Sequence, residues 1–324
     1  SGVESTQTAV RLARAATGRR HIVKIEGSYH GGTDSLLISI GGASEEARGP
    51  DEAPASTADS AGLLPGTVEA TVVVQFNDIE GMRAAFDRHD GDVAAVIVEP
   101  VMTNGGVIAP KPGYLEAVRD LTREKGTVLI FDEVKVGCRI APGGAVERFG
   151  VTPDLVTLAK AIGGGLPVGA FGGRRDLMEL ISPLGPAIHF GTYNANPLGM
   201  AAGLACLTKV MVPETYERME GLATRLADGQ RKIIADLGAP ACVTQVATLG
   251  GILFTPVEPT NHREAARCDV ARWDEYWFGM LNQGVIPMGS AWFEEWSISA
   301  AHTDDDIDRT LEATEKVLRE IFAA

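Results

Sequence analysis

The chain has 324 residues, of which 45% are hydrophobic, and its formal net charge is −14. This length predicts one large domain with a smaller companion, and the scattered acidic residues disfavour nucleic acid and anionic membranes as partners. The sequence contains no signal peptide, no long apolar run and no paired spacing among its four cysteines, so we expect a soluble cytoplasmic protein without disulfides or a metal site.

The first predicted element is a helix over residues 4–17, which Gly18 would end. Ser1 and Gly2 stand at its N-terminus, where free N–H groups form an anion site, and a simple serine cap is the alternative. Because no strand precedes this helix, we expect that the working protein has a further N-terminal segment.

A predicted strand over residues 21–25 runs into a turn, residues 27–32, in which glycines flank Tyr29 and His30. Tyr29 in such a turn can stack on a planar ring or pack on the core, and His30 fits a presented side chain or a satisfied polar residue equally well. Residues 41–66 are rich in Gly, Ala, Ser, Pro and acid, which predicts a mobile cover near the site.

Strands then alternate with helices. The predicted strands cover residues 71–76, 93–99, 128–131, 155–158 and 169–173, and the predicted helices cover residues 79–89, 113–125, 175–180 and 198–212. This alternation indicates a three-layer α/β domain with a mostly parallel sheet, which we place at residues 1–212.

The composition changes near Pro213. A helix of alternating charge, residues 213–237, is predicted to link the large domain to a small α+β domain at residues 238–324. Its predicted strands are 243–246, 251–256, 285–287 and 297–299, and its predicted helices are 263–283 and 304–322.

Polar residues follow three of the buried strands. Asp132 and Lys160 end two of them and Glu99 ends another, so an open parallel sheet brings them to one edge, where ligands bind. A lysine amine beside a carboxylate suits carbonyl chemistry, because the amine can form a Schiff base and the carboxylate can hold a ring nitrogen protonated. The alternative is a solvated lysine at a helix start and an aspartate cap.

Thr192 lies in a polar loop, residues 191–197, before an apolar helix. Its hydroxyl can bind a phosphate or cap the helix.

These residues together resemble the class III (subgroup II) pyridoxal-phosphate aminotransferases of fold type I. The resemblance covers nearly the whole chain and rests on the ordered motifs SGVEST, GSYHGG, VIVEP, FDEV, PDLVTLAKAIGGGLPVGAFGG, GTYNANPLGMAAG and EEWSISAAHT. Within that class the sequence is similar to the glutamate-1-semialdehyde 2,1-aminomutases and their transaminase relatives.

The resemblance implies a role for each matching residue. Lys160 is the expected Schiff-base lysine, and Asp132 is expected to keep the pyridine nitrogen protonated. Tyr29 and Val134 are expected on the two faces of the cofactor ring. The other implied positions are Gly2 and Val3 at the phosphate, Thr192 at the phosphate of a neighbouring subunit in a homodimer, Glu99 and Asn104 near the ring substituents, and Glu294 near the substrate.

The sequence departs from the aminomutase pattern at Lys135 to Cys138 and in the loop that contains Thr192. The resemblance therefore implies an aminotransferase that moves an amino group from an amine or amino acid to a keto acid, through a pyridoxamine phosphate intermediate. The alternative is the intramolecular amino shift of the aminomutase. Two alternatives come from outside transferase chemistry. One is a decarboxylase or racemase that uses the same cofactor, and the other is a binding protein without catalytic activity.

Overall fold

The computed structural model describes residues 1–289 and 294–322, apart from the side chain of Glu294. The chain forms two units. The first comprises residues 1–100, 110–138 and 143–209, and the second comprises residues 101–109, 139–142 and 210–324.

A six-stranded sheet forms the centre of the first unit. Its strands are β1 (His21–Ile25), β2 (Thr71–Val74), β3 (Val93–Val98), β4 (Val128–Asp132), β5 (Leu155–Leu158) and β6 (Ala170–Gly173). They lie in the order β2-β1-β3-β4-β5-β6, with β6 antiparallel to β5 and all other pairs parallel. Every residue of β3 and β4 is buried, as expected for strands covered on both faces. The predicted, mostly parallel sheet is confirmed.

One face of this sheet packs on helix α1 (Gly2–Thr17). Leu12 and Ala13 of this helix share a core cluster with Ile22, Ile97 and Ile130 of the sheet. The helix period brings these apolar side chains to one side, and their burial is the main source of stability here. Gly18 ends the helix in a left-handed conformation, as predicted.

The other helices of the first unit are α2 (Pro65–Glu69), α3 (Ile79–Arg88), α4 (Tyr114–Glu124), α5 (Gly144–Phe149), α6 (Arg175–Met178) and α7 (Pro197–Ala205). The predicted helix 198–212 is confirmed as far as Val210. It is α-helical to Ala205 and continues as a π-helical turn, Cys206–Val210. Composition predicted that residues 41–66 form an irregular, mobile cover near the site. Residues 41–64 contain no helix and no strand of the sheet, and the role as a mobile cover stays a prediction.

The second unit contains an antiparallel sheet of strands β7 (Cys242–Val246), β8 (Leu249–Leu253), β9 (Met288–Gly289) and β10 (Glu294–Ser297), in the order β7-β8-β10-β9. Its helices are α8 (Pro213–Leu237), α9 (His262–Ala265), α10 (Val270–Asn282) and α11 (Asp304–Phe322). The predicted single helix 263–283 is therefore wrong, because Asp269 caps a new helix by accepting the backbone N–H of Arg272.

None of the described helices combines the length and the apolar character that a bilayer span requires.

Candidate active site

A row of polar residues crosses the carboxyl edge of the large sheet. Asp132 of β4 lies opposite Thr157 of β5, and Val98 of β3 lies opposite Phe131. One residue further along this register, Glu99 lies next to Asp132. Ile97 and Ile130, which pack on α1, stand two residues before Glu99 and Asp132. Because side chains two residues apart on a strand share a face, this row lies on the side of the sheet that α1 covers. The prediction that these carboxylates meet at one edge is therefore confirmed for Glu99 and Asp132.

Asp132 is buried and hydrogen-bonded by three donors. Its Oδ1 accepts the backbone N–H of Val134 and the hydroxyl of Thr157, both at 3.0 Å, and its Oδ2 lies 2.6 Å from Nδ1 of His30. These three contacts fix the orientation of the carboxylate. An ionised, oriented carboxylate is the group needed to hold a protonated ring nitrogen.

His30 is held by contacts of its own segment with α1 as well as by Asp132. Thr6 of α1 donates its hydroxyl to the carbonyl of His30 at 2.7 Å, and a Cβ built on Gly31 would lie 2.9 Å from Val3. The side chain of His30 is completely buried, and its Nε2 has no partner among the described residues. Of the two readings left open by the sequence, the structure shows a histidine presented to Asp132.

Lys160 follows β5 by two residues and begins a 3₁₀ turn, Lys160–Gly163. Its backbone has a φ of 50°, in the left-handed region that side chains other than glycine rarely adopt. Such conformations persist only where the surrounding structure enforces them, and they cluster at functional sites. Lys160 is exposed at the carboxyl edge of the sheet.

The N-terminus of α1 lies against the same edge. A Cβ built on Gly2 would meet Val134 at 2.8 Å and Ala159, the neighbour of Lys160, at 3.4 Å. This contact places the first turn of α1 beside Val134, two residues after Asp132, and beside Ala159, which directly follows β5. The free N–H groups of that turn are suited to a phosphate.

Tyr29 and Glu99 are joined through the backbone. The N–H of Tyr29 donates to Oε1 of Glu99 at 3.3 Å, and the ring of Tyr29 is 43% exposed. An aromatic ring that is exposed while its backbone is fixed can stack on a planar ligand. The core-packing alternative for Tyr29 is therefore disfavoured.

Three predicted site residues lie elsewhere in the chain or outside the described atoms. Thr192 is exposed in the loop before α7 and does not cap that helix, because Asn196 does so by accepting the N–H of Gly199 at 2.8 Å. Asn104 belongs to the loop 101–109 of the second unit. Glu294 opens β10, and its side chain lies outside the described residues. The roles implied for these three residues stay predictions.

Sequence reasoning missed Thr157, Glu133 and two buried residues of the first strand region, Lys24 and Glu26. Thr157 is hidden within an apolar run, where a lone threonine gives no signal. Glu133 is buried next to Asp132, and burial raises the pKa of its carboxyl to about 7 although the N–H of Ala145 donates to it at 2.8 Å.

The site has the groups that pyridoxal phosphate requires. The lysine amine of Lys160 suits its aldehyde, the buried carboxylate of Asp132 suits its ring nitrogen, and a helix N-terminus with a glycine in close contact suits its phosphate. The buried Nε2 of His30 and the buried hydroxyl of Ser28 both lack partners among the described residues, which is typical of a ligand site.

Comparisons with known proteins agree with this chemistry. The family model of class-III aminotransferases matches residues 1–318. Glutamate-1-semialdehyde 2,1-aminomutase 2 of Brevibacillus brevis is 44% identical over 322 residues, which are 99% of this chain and 73% of that protein.

Solved structures show the same relationship. An omega-transaminase from Sphaerobacter thermophilus superposes with a TM-score of 0.91 at 32% identity, over 98% of this chain and 72% of the other. A glutamate-1-semialdehyde aminomutase from Pseudomonas aeruginosa PAO1 in complex with PMP gives a TM-score of 0.85 at 28% identity, over 98% and 70%. The chain therefore belongs to the class-III aminotransferases, enzymes of fold type I that depend on pyridoxal phosphate.

Proposed function

We propose that this protein is a glutamate-1-semialdehyde 2,1-aminomutase, which moves an amino group between adjacent carbons of one substrate. The observation that carries the proposal is its 42 to 46% identity, over nearly its whole length, to proteins of that name from several bacteria. The sequence favoured transfer between two molecules as its first reading and this reaction as the alternative. The relatives support the alternative more strongly.

The residues of the polar row would hold and orient the cofactor. Asp132, fixed by His30 and Thr157, would keep the ring nitrogen protonated, and the first turn of α1 at Gly2 and Val3 would bind the phosphate. Pyridoxal phosphate would supply an electron sink for the electrons left when a proton leaves the substrate carbon.

Lys160 would act twice in the reaction. Its amine would hold the cofactor through the aldehyde carbon. While the substrate occupies the site, the Nζ of Lys160 would be placed to take a proton from the substrate carbon as a general base and to give a proton back as a general acid. Its exposure and its strained backbone at the strand end support this role.

Tyr29 and Val134 would flank the ring. Tyr29 presents an exposed ring over a backbone held by Glu99, and Val134 borders Gly2. Glu99 and Asn104 are proposed near the ring substituents, Thr192 near the phosphate of a second subunit and Glu294 near the substrate.

A second candidate is an aminotransferase that uses a separate amino donor and a keto acid acceptor. Two observations favour it: the high TM-score with the omega-transaminase, and the departures from the aminomutase pattern at Lys135 to Cys138 and around Thr192. The two candidates share Lys160 and Asp132 and differ only in whether a second substrate is needed.

A turnover assay without a keto acid separates the candidates. The protein is loaded with pyridoxal phosphate, given glutamate-1-semialdehyde alone, and assayed for the isomeric amino ketone. Sustained turnover supports the aminomutase. Turnover that requires both an amine and a keto acid supports the second candidate, and activity in neither assay contradicts both. The matched control is Lys160→Ala, which should bind the cofactor without a borohydride-reducible link.

We also propose that the protein is a homodimer in the cytoplasm. A stretch between residues 184 and 210 exposes large apolar side chains, among them Leu184, Phe190, Tyr193, Leu198 and Leu204, each at least 65% exposed. A patch of this kind supports burial against a second copy. The four cysteines are free thiols, which supports a reducing compartment.

A further inference from the structure

The 3₁₀ turn Lys160–Gly163 packs on one side of α7 and of the residue that follows this helix. Gly199, Gly203 and Cys206 stand at positions i, i+4 and i+7, so they lie on that same side, and all three are buried. We call these three residues the small face of α7. None of the roles proposed above uses them.

The small face contacts two carbonyl groups of the turn. The Sγ of Cys206 donates to the carbonyl of Ala161 at 3.2 Å, and the same oxygen accepts the N–H of Gly164 at 3.0 Å. A Cβ built on Gly203 would lie 3.3 Å from the carbonyl oxygen of Ile162, which is tighter than an ordinary van der Waals contact. The backbone of the turn therefore lies directly against the backbone of the helix.

This contact supports a strained stretch of backbone. Lys160 begins the turn with a φ of 50°, and Gly164 follows it with a φ of 55°. Glycine adopts this region freely, whereas a lysine stays there only where the surroundings hold it. Hydrogen bonds within a 3₁₀ turn are poorly aligned, and the N–H of Ile162 reaches the carbonyl of Ala159 only at 3.3 Å. The small face thus supplies a support from outside the turn.

We propose that Gly203 and Cys206 are positioning residues, which hold the backbone of Lys160 in the conformation from which its amine links to pyridoxal phosphate. Gly203 lets the helix approach the turn, and Cys206 fixes the carbonyl of Ala161, the neighbour of Lys160. This inference rests on the proposed function, in which Lys160 holds the cofactor.

The test compares two ligands, because pyridoxamine phosphate has no aldehyde and cannot link to Lys160. Gly203→Ala forces the turn to move by a few tenths of an ångström, and it should slow the formation of the borohydride-reducible link with pyridoxal phosphate by about tenfold. Timed borohydride reduction and mass spectrometry of the peptide that contains Lys160 measure this rate. The affinity for pyridoxamine phosphate, from fluorescence titration of the apo protein, should stay within about threefold of the wild type.

The matched control is Gly221→Ala in α8. Both substitutions add one methyl group inside a helix, where alanine is the better helix former, so neither should lower the stability of its helix. A Cβ built on Gly221 meets no atom of the described residues within 4 Å, the backbone of its own stretch of helix apart. Gly221→Ala should therefore form the link at the wild-type rate.

The hydrogen bond of Cys206 gives a second comparison, which also decides the inference where Gly203→Ala fails to fold. Serine keeps a donor for the carbonyl of Ala161 and alanine removes it. Cys206→Ala should slow the link by about threefold, and Cys206→Ser should form it at nearly the wild-type rate.

Three outcomes overturn the inference. They are a Gly203→Ala variant that links at the wild-type rate, a Gly203→Ala variant that loses rate and pyridoxamine phosphate affinity to the same extent, and equal rates for Cys206→Ala and Cys206→Ser. A wild type that forms no reducible link at Lys160 instead overturns the proposed function.

Discussion

At the scale of single residues, the contact between His30 and Asp132 defines the site. The two side chains are almost fully buried, and their polar atoms are 2.6 Å apart. A hydrogen bond to a charged group contributes about 1.5 to 3 kcal/mol, and leaving a buried carboxylate short of a donor costs a similar amount. His30 thus links the glycine turn at residues 27–32 to the residue that would hold the ring nitrogen.

This contact gives a test with a conservative rescue. We expect His30→Phe to weaken pyridoxal phosphate binding by about tenfold, because Asp132 loses the donor on Oδ2. His30→Asn should restore much of the affinity, since its amide nitrogen lies near the position of Nδ1. Fluorescence titration of the apo variants measures both. Equal affinities for His30→Phe and His30→Asn would show that packing, and not the hydrogen bond, is what matters.

Glu133 is predicted to make stability depend on pH. Its folded pKa of about 7 lies above the ordinary value of 4.5, so between these values the folded protein binds more protons than the unfolded chain. Protonated Glu133 therefore adds its full contribution to the free energy of unfolding below about pH 4.5. As the pH rises through about 7 this contribution is lost, which lowers the free energy of unfolding by up to about 3 kcal/mol.

Glu133→Gln should remove this loss and stabilise the apo protein at about pH 8, because the amide oxygen can still accept the N–H of Ala145. Urea unfolding between about pH 5 and pH 8.5 measures the effect. Glu147→Gln is the control, since that carboxyl is exposed on α5. A stability profile of Glu133→Gln that parallels the wild type would show that Glu133 is not protonated in the fold.

At the scale of elements, Asp154, which directly precedes β5, connects the start of this strand to α4, to β4 and to the residue that follows β6. Its carboxylate contacts Arg119 of α4 at 2.9 Å and Arg174 after β6 at 3.0 Å, and it accepts the N–H of Leu129 in β4 at 2.8 Å. Arg119 and Asp154 are both buried. This cluster fixes the start of the strand that leads to Lys160.

Arg119→Met should lower the free energy of unfolding by about 3 kcal/mol, because it removes one partner of a buried ion pair. The control is Arg123→Met on the same helix, whose ion pair with Asp120 spans 4.0 Å at the surface and should contribute less than about 0.5 kcal/mol. Thermal or urea unfolding measures both variants. Equal free energies of unfolding for the two variants would show that the ion pair of Arg119 with Asp154 does not stabilise the fold.

At the scale of the whole molecule, the exposed apolar side chains between residues 184 and 210 predict dimerisation. Leu204→Glu should shift the protein from dimer to monomer in light scattering after size exclusion, since a charge in an apolar interface is costly. Leu64→Glu, at a similarly exposed leucine of the first unit, should leave the mass unchanged. A Leu204→Glu variant that remains dimeric, or a wild type that is monomeric, contradicts this surface.

The sequence by itself predicted the six strands of the first unit, the helices α1, α3, α4, α6 and α7 in their chain order and the residues at the strand ends, because period and composition are local signals. It missed the short helices α2 and α5. It also predicted the helix α11 from Asp304 to Phe322, where three acidic residues occupy the first turn. It failed between α9 and α10, because the helical period alone does not show that Asp269 caps a new helix. It also did not distinguish the π-helical turn after α7 from an α-helix. The domain boundaries at 212 and 237 stay predictions.

Only the tertiary structure decided which polar groups meet. The register of four strands brings Glu26, Glu99, Asp132 and Thr157 into one row and puts Lys24 beneath it. Nothing in the local sequence distinguishes Glu26, Thr157 and Lys24 from caps, strand residues or surface charges. The sequence named Asp132 and Lys160 through their positions after strands. The partners of Asp132 and the burial of Lys24 follow from contacts between distant segments, which only the packed sheet creates.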